Sequence, residues 1–204
     1  MLEIETKLYL ESEQRAREVC RQLALPWLDG TFERNRIFDF ADGRLQGRGA
    51  LVRVRERNRE GFLTYKERTD RDVAEAKVRL EYDTEVSDPA SVVQLLVGLG
   101  LREVLSYERY RARHTLATAH LEVDRMPGGW FCEIEGSPEE IRRVRKAGGL
   151  EQAAAVVWSY PEILTALQEA GMAKGNWTFA AHDRGELRLP GPDHPFWSRA
   201  KGPR

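Results

Sequence analysis

Seven stretches of this chain place charge at every second position and leave the positions between them mostly apolar. A period of two marks a β-strand, whose successive side chains point to opposite faces of a sheet. At the N-terminus, Glu3, Glu5 and Lys7 alternate with Ile4, Thr6 and Leu8. Arg53, Arg55 and Arg57 then alternate with Val52, Val54 and Glu56, and Thr64, Lys66 and Arg68 with Leu63 and Tyr65. In KVRLEYDTEV, Lys77, Arg79, Glu81, Asp83 and Glu85 share one face; Val78, Leu80, Tyr82, Thr84 and Val86 share the other. Arg109, Arg111 and Arg113 line up next, then Glu122 with Asp124, and last Glu133 with Glu135.

An antiparallel sheet with one solvated side gives the same alternation, so no single strand is decisive. The set says more. Ser, Asn and Gln are scarce on these faces, and the charges are sorted by sign. Arginine gathers in 53–57 and 109–113, acid in 3–5, 122–124 and 133–135. Closing the sheet into a barrel would turn the charged faces inward. Like charges in a lumen repel one another and lose hydration, so they are tolerable only when neutralised. Arginine and lysine clusters suit a polyanion, because guanidinium forks match phosphate oxygens. The acids suit a hard divalent cation with oxygen ligands, Mg²⁺ or Mn²⁺.

Composition bounds the rest. At 204 residues and 41% hydrophobic, the chain can bury one substantial core or two small ones. With 32 basic and 33 acidic residues the net charge is −1, which excludes a general nucleic-acid or membrane-surface binder. Cys20 and Cys132 are too few for a disulfide scaffold. No apolar run approaches the roughly 20 residues of a membrane span, and Glu3 and Glu5 spoil a signal sequence, so the expected compartment is the cytoplasm.

Caps mark the helices: Ser12 for one running to about Leu25, Asp88-Pro89 for 89–99, Ser137-Pro138 for 138–146, and Pro161 for one ending at Gly171. Strands are expected near 2–10, 34–40, 50–58, 61–69, 75–86, 103–113, 116–124 and 130–136, with hairpin turns at Gly61 and at Pro127-Gly128-Gly129. From about Lys174 the chain loses any sustained period and reads as a partly ordered extension, residues 174–204, after a domain spanning 1–173. No Walker-type loop, dinucleotide fingerprint, internal repeat or metal-spaced histidine pair appears.

ExExK at the N-terminus, followed in order by LVRVR, LTYKE, RLEYD, an RxR strand, LEVD, FCEIE and VWSYPEIL, resembles the CYTH family, the triphosphate tunnel metalloenzymes, over about Met1 to Gly171. The resemblance implies an α+β fold: an eight-stranded antiparallel closed β-barrel with a charged lumen and helices packed outside. It implies divalent-metal-dependent triphosphatases and class IV adenylyl cyclases as relatives. Carried over by position, it makes Glu3, Glu5, Asp124, Glu133 and Glu135 metal-side acids. Lys7, Arg53, Arg55, Lys66, Arg79, Arg109 and Arg111 become the phosphate-binding bases, and Lys7, Glu81 and Asp83 the groups nearest the chemistry. Glu122 has a weaker match, and Asn35 stands where an acid is common. The implied partner is a triphosphate-containing small molecule, and the outer helices leave room for a homodimer. Hydrolysis needs fewer parts than cyclisation, which also requires an adenosine pocket for which Phe38, Phe62 and Trp130 are candidates. A non-catalytic polyphosphate binder would keep the bases and lose the acids, and here the acids are present.

Overall fold

A computed structural model describes residues 2–68, 77–153 and 155–200, with the backbone alone at Leu2, Glu3, Lys77 and Val78. Eight strands form one antiparallel, curled sheet: β1 Leu2–Tyr9, β2 Thr31–Phe40, β3 Ala50–Arg57, β4 Glu60–Arg68, β5 Lys77–Val86, β6 Leu101–Thr115, β7 His120–Met126 and β8 Gly129–Glu135. The hydrogen-bonded order is β1-β5-β4-β3-β2-β6-β7-β8, and β8 pairs with β1, which brings the order back to its start. All eight expected strands are present.

Five of the helices carry the names α1 Glu13–Gln22, α2 Arg44–Gly47, α3 Pro89–Gly98, α4 Pro138–Ala147 and α5 Tyr160–Glu169. The expected caps are made. Ser12 accepts from the Arg15 amide, Asp88 from the amides of Ala90 and Ser91, and capping boxes pair Ser137 with Glu140 and Ser159 with Glu162; each such cap contributes about 1 kcal/mol. α1 ends at Gln22, before the expected Leu25, because Ala24 turns left-handed at φ 53° and the Leu25 amide bonds back to the Cys20 carbonyl, a Schellman-type stop. The β3–β4 turn also differs from expectation. Asn58, at φ 55°, takes the left-handed position, while Gly61 lies inside β4, where an added Cβ would sit 2.2 Å from Pro89 Cγ. Gly61 therefore serves the close approach of α3, not the turn.

The apolar faces are buried in three places. α1 and α4 cover the outward side chains of β1, β7 and β8, including Leu8, Leu121, Val123 and Ile134. α3 and α2 cover Phe38, Val54 and their neighbours on β2 and β3. The third cluster departs from the expected arrangement of a charged lumen with every helix outside. It joins α5 to Ile37, Tyr107 and Phe131, which lie on the same strand faces as the charged residues. Residues 174–200 complete this cluster with Trp177, Leu187, Phe196 and Trp197, all 5% exposed or less. They also supply α6 Phe179–Asp183 and a 3₁₀ turn at Pro195–Ala200. Trp177 exchanges backbone hydrogen bonds with Ser106 and Glu108 of β6, and its indole N–H donates to the Pro127 carbonyl at 2.9 Å. The outcome is a sheet whose enclosed face is charged toward one end and aromatic toward the other.

Candidate active site

A cavity of about 480 Å³ opens along the enclosed face. Alternation delivers its lining: Glu5 and Lys7 from β1, Arg53 and Arg55 from β3, Lys66 from β4, Arg79, Glu81 and Asp83 from β5, Arg109 and Arg111 from β6, and Glu133 and Glu135 from β8. Twelve of the fourteen residues singled out in the sequence thus share one cavity. The Glu3 side chain lies outside the described residues, though its backbone pairs with Arg79. Asp124 is placed differently. It is fully buried and absent from the lining, and it accepts from Arg111 Nε at 2.6 Å, Arg109 Nη1 at 3.3 Å and the Tyr160 hydroxyl at 2.6 Å. Register explains this: its neighbour on β8 is Phe131, in the aromatic cluster, whereas Glu122 pairs with Glu133.

On the β3–β5 side, Arg53, Arg55 and Lys66 each lean on a nearby acid or hydroxyl. Arg53 donates to Thr64 at 3.1 Å and lies 3.7 Å from Glu81, which also holds Lys66 Nζ at 2.7 Å. Arg55 donates to Asp83 at 3.2 Å. The pairing is incomplete: the Nε atoms of Arg53 and Arg55 are buried without a hydrogen-bond partner among the described residues. Burial, then the neighbouring Arg53, push the Arg55 guanidinium down to about 10, with Arg109 adding to the effect. A buried cation left short of partners is costly, and an anion relieves it.

On the β6–β8 side the acids dominate. Lys7 Nζ lies 2.7 Å from Glu133; Arg111 binds Glu122, Glu133 and Asp124 together, and Arg109 Nε donates to Glu33 at 2.8 Å. Burial disfavours the charge of Lys7, but Glu133 and Glu5 outweigh it and hold the amine above its usual range. It is therefore a cation and not a ready general base. Glu133 is held well below the carboxylate range because Arg111 and Lys7 overcome its burial. Glu122 moves upward, through burial and the adjacent Glu133.

Four lining or supporting groups were not anticipated as site residues. Glu33, 2% exposed, anchors Arg109, and its signal was present in the sequence, since it lies two positions before Asn35 on the same face of β2. Thr64 was placed on the charged face with Lys66 and Arg68, and Tyr160 lies in the VWSYPEIL motif at the start of α5, but neither carried a site role, and Tyr107 gave no signal, because an aromatic on a strand reads as ordinary packing. Asn35 itself is fully buried beside Arg55 and Tyr107 in the register, with both side-chain polar atoms unpartnered among the described residues.

The carboxylates offer a cation few ligands. Glu5 and Glu135 are direct register partners across β1 and β8, and both line the cavity. Among the described residues no three His, Cys, Asp or Glu side chains gather into a metal-holding group. Magnesium needs only one or two carboxylates when waters and substrate phosphates complete its shell, so an oxygen-only pair beside a basic pocket fits it.

Residues 1–153 match the model of the CYTH domain. Over 147 residues, 72% of this chain and 83% of the relative, the sequence is 23% identical to a candidate adenylate cyclase from Methanocaldococcus jannaschii. A solved protein of Pyrococcus horikoshii OT3 superposes with a TM-score of 0.67 at 24% identity, covering 80% of this chain and 98% of that one. A Hippeastrum protein, described as a candidate adenylyl cyclase with a dominant triphosphatase activity, superposes with a TM-score of 0.61 at 20% identity over 94% and 99% of the two chains. At these identities the solved structures speak for the fold. With most of its length matched by the family model, the chain belongs to the CYTH domain family.

Proposed function

We propose that this protein hydrolyses a triphosphate bound in its basic cavity, with Mg²⁺ or Mn²⁺ as cofactor. The observation that carries the reading is the pair Arg53 and Arg55: 8% exposed each, with Nε atoms that find no hydrogen-bond partner among the described residues, facing a cavity that also presents Lys7, Lys66, Arg109 and Arg111. Such a site has excess donor capacity for one extended polyanion. The dominant triphosphatase activity of the Hippeastrum protein supports the same reading.

Phosphoryl transfer asks mainly for positioning and for charge neutralisation. Arg53, Arg55 and Lys66 would hold one part of the phosphate chain and Arg109, Arg111 and Lys7 the rest, while Glu81 and Asp83 keep the bases of β3 and β4 oriented toward it. Glu5 and Glu135 would hold the metal, with Glu3 and Glu133 nearest by sequence and register. The metal, when bound, supplies charge neutralisation at the reacting phosphate and favours attack by water. Water would form the new P–O bond at the terminal phosphorus while the P–O bond to the bridging oxygen breaks; that oxygen keeps the electron pair and leaves with the diphosphate, the terminal phosphorus departs as orthophosphate, and the proton lost by the water passes to solvent. Lys7, held as a cation by Glu133 and Glu5, stabilises negative charge on the phosphate oxygens and does not remove the water proton.

Hydrolysis is favoured over cyclisation of ATP by the state of the aromatic rings. Phe38, Tyr107 and Tyr160 border the cavity but are 1%, 3% and 3% exposed, engaged in core packing; Phe62 is buried, absent from the lining and covered by the guanidiniums of Arg55 and Arg57, and Trp130 is absent from the lining and packs on Trp27. None of these described rings offers a free face for a purine. One assay separates the readings: tripolyphosphate, thiamine triphosphate and ATP are supplied separately with Mg²⁺ or Mn²⁺, and orthophosphate, pyrophosphate and cyclic AMP are followed. Orthophosphate from one or more of the three is the expected result. Cyclic AMP as the main product from ATP would replace hydrolysis with cyclisation, and tight binding without turnover would make the protein a binder.

A further inference from the structure

Tyr160 opens α5, outside the residues that the CYTH model matches, yet three of the site's cations bear on it. Its hydroxyl donates to Asp124 Oδ2 at 2.6 Å, and Asp124 in turn accepts from Arg111 and Arg109. The ring lies 4.2 Å from Lys7 Nζ and 5.7 Å from Arg109 Cζ. The ring is also braced from behind, by Tyr107 at 5.6 Å, Phe131 at 5.5 Å and Trp177 at 6.0 Å between centroids. Its backbone is set by the Ser159–Glu162 capping box.

A ring that only filled this core would not need a hydroxyl, and Phe131 next to it has none. A phenol buried this deeply must find an acceptor, and the one it finds is the carboxylate that orients two of the cavity's arginines. Charge-assisted hydrogen bonds and ring–cation contacts both strengthen when water is excluded. Arginine and lysine side chains are otherwise long and rich in rotamers, and a binding site gains when their geometry is held before the ligand arrives.

We infer that Tyr160 is a positioning residue: through Asp124 and through its ring, it sets Arg111, Arg109 and Lys7 in the arrangement that receives a phosphate chain. The ligand rests on the triphosphate reading above, whereas the geometry can be measured without any ligand.

The test compares Tyr160→Phe and Tyr160→Leu with wild type, and uses Tyr110→Phe, whose ring packs outside the cavity on Phe32 and Phe179, as a control. Three readouts are taken: tripolyphosphate affinity by calorimetry with a chelator present, kcat and KM with Mg²⁺, and the Lys7 Cε–Hε cross-peak in a lysine-labelled spectrum. Loss of the hydroxyl in Tyr160→Phe should weaken tripolyphosphate about tenfold and raise KM alike, with the Lys7 peak unmoved because the ring remains. Tyr160→Leu should weaken binding further and move the Lys7 peak downfield, since the ring current above it is gone. Tyr110→Phe should leave binding, KM and the Lys7 peak as in wild type. Binding by both Tyr160 variants within twofold of wild type would overturn the inference, and so would a Lys7 peak that stays in place in Tyr160→Leu. If wild type binds no tripolyphosphate, the functional reading fails, and the Lys7 peak alone then decides the positioning role.

Discussion

Glu33→Gln isolates the buried pair that anchors Arg109. Both partners are 2% exposed at the side chain, with Arg109 Nη2 2.7 Å and Nε 2.8 Å from Glu33 Oε2. Burial alone would push the Glu33 carboxyl up, but Arg109, followed by Arg111 and Arg55, brings it down to about 2 from an ordinary 4.5. At about 1.36 kcal/mol for each tenfold in proton affinity, the ionised group contributes about 3 kcal/mol of folding stability at pH 7. The sign follows from a depressed folded-state value: the contribution is complete above 4.5 and drains away as pH falls toward about 2. By the same linkage it should be roughly 1.4 kcal/mol at pH 3. Glutamine mimics the protonated acid, so it should lose about 3 kcal/mol at neutral pH, a drop in melting temperature of about 6–12 °C for a chain of this length. Urea unfolding of wild type and Glu33→Gln at pH 7 and pH 3 reads both numbers. A difference below about 1 kcal/mol at pH 7 would refute the buried-pair argument, since breaking such a pair typically costs about 3–5 kcal/mol. A difference that fails to shrink at pH 3 would refute the assignment to ionisation.

Arg55→Met removes a charge that burial and Arg53 disfavour but also the partner of the partly exposed Asp83, so the two effects should offset, costing less stability than Glu33→Gln while tripolyphosphate affinity is lost in calorimetry. A large loss of stability would mean that the guanidinium is structural. Glu5→Gln and Glu135→Gln should each abolish Mg²⁺-dependent turnover and leave the melting temperature within a few degrees; near-normal turnover in either would remove that residue from the metal site. Trp177→Ala empties the fully buried centre of the aromatic cluster and should destabilise the fold by about 3–5 kcal/mol, read by thermal melting. A cost under 1 kcal/mol would show that residues 174–200 are dispensable to the core.

The strands were the most legible part of the chain, and the reason is the period. A two-residue alternation of charge with Val, Leu and Ile survives without knowledge of what lies opposite, so Arg53, Arg55, Glu81 and Glu133 could be assigned to one enclosed face. The resemblance to CYTH sequences added their roles. Less legible were residues whose task depends on a partner distant in the chain. Asp124 has the same local pattern as Glu122, but only the register against Phe131 and the arrival of Tyr160 place it behind the wall. Gly61 reads as a turn, and only the packing of Pro89 against it explains the missing side chain. The segment after Lys174 has no period because its tryptophans act singly, each filling a site made by other elements.

By itself the sequence determined the eight strands, the faces on which their charges lie, the caps that begin the helices, and the family to which the whole belongs. These are local or ordered properties: side-chain alternation, capping hydrogen bonds, and motifs in a fixed succession. Only the tertiary structure decided which charges touch, which end of the enclosed face is filled by Trp177, Phe131 and Tyr160, and which acid serves other side chains and not the cavity. Those outcomes depend on strand register and on contacts between residues far apart in the chain, and a single sequence carries no direct record of either. Glu33 and Arg109, 76 positions apart, show the difference: each is an unremarkable strand charge alone, and together they form a buried pair that anchors one of the cavity's arginines.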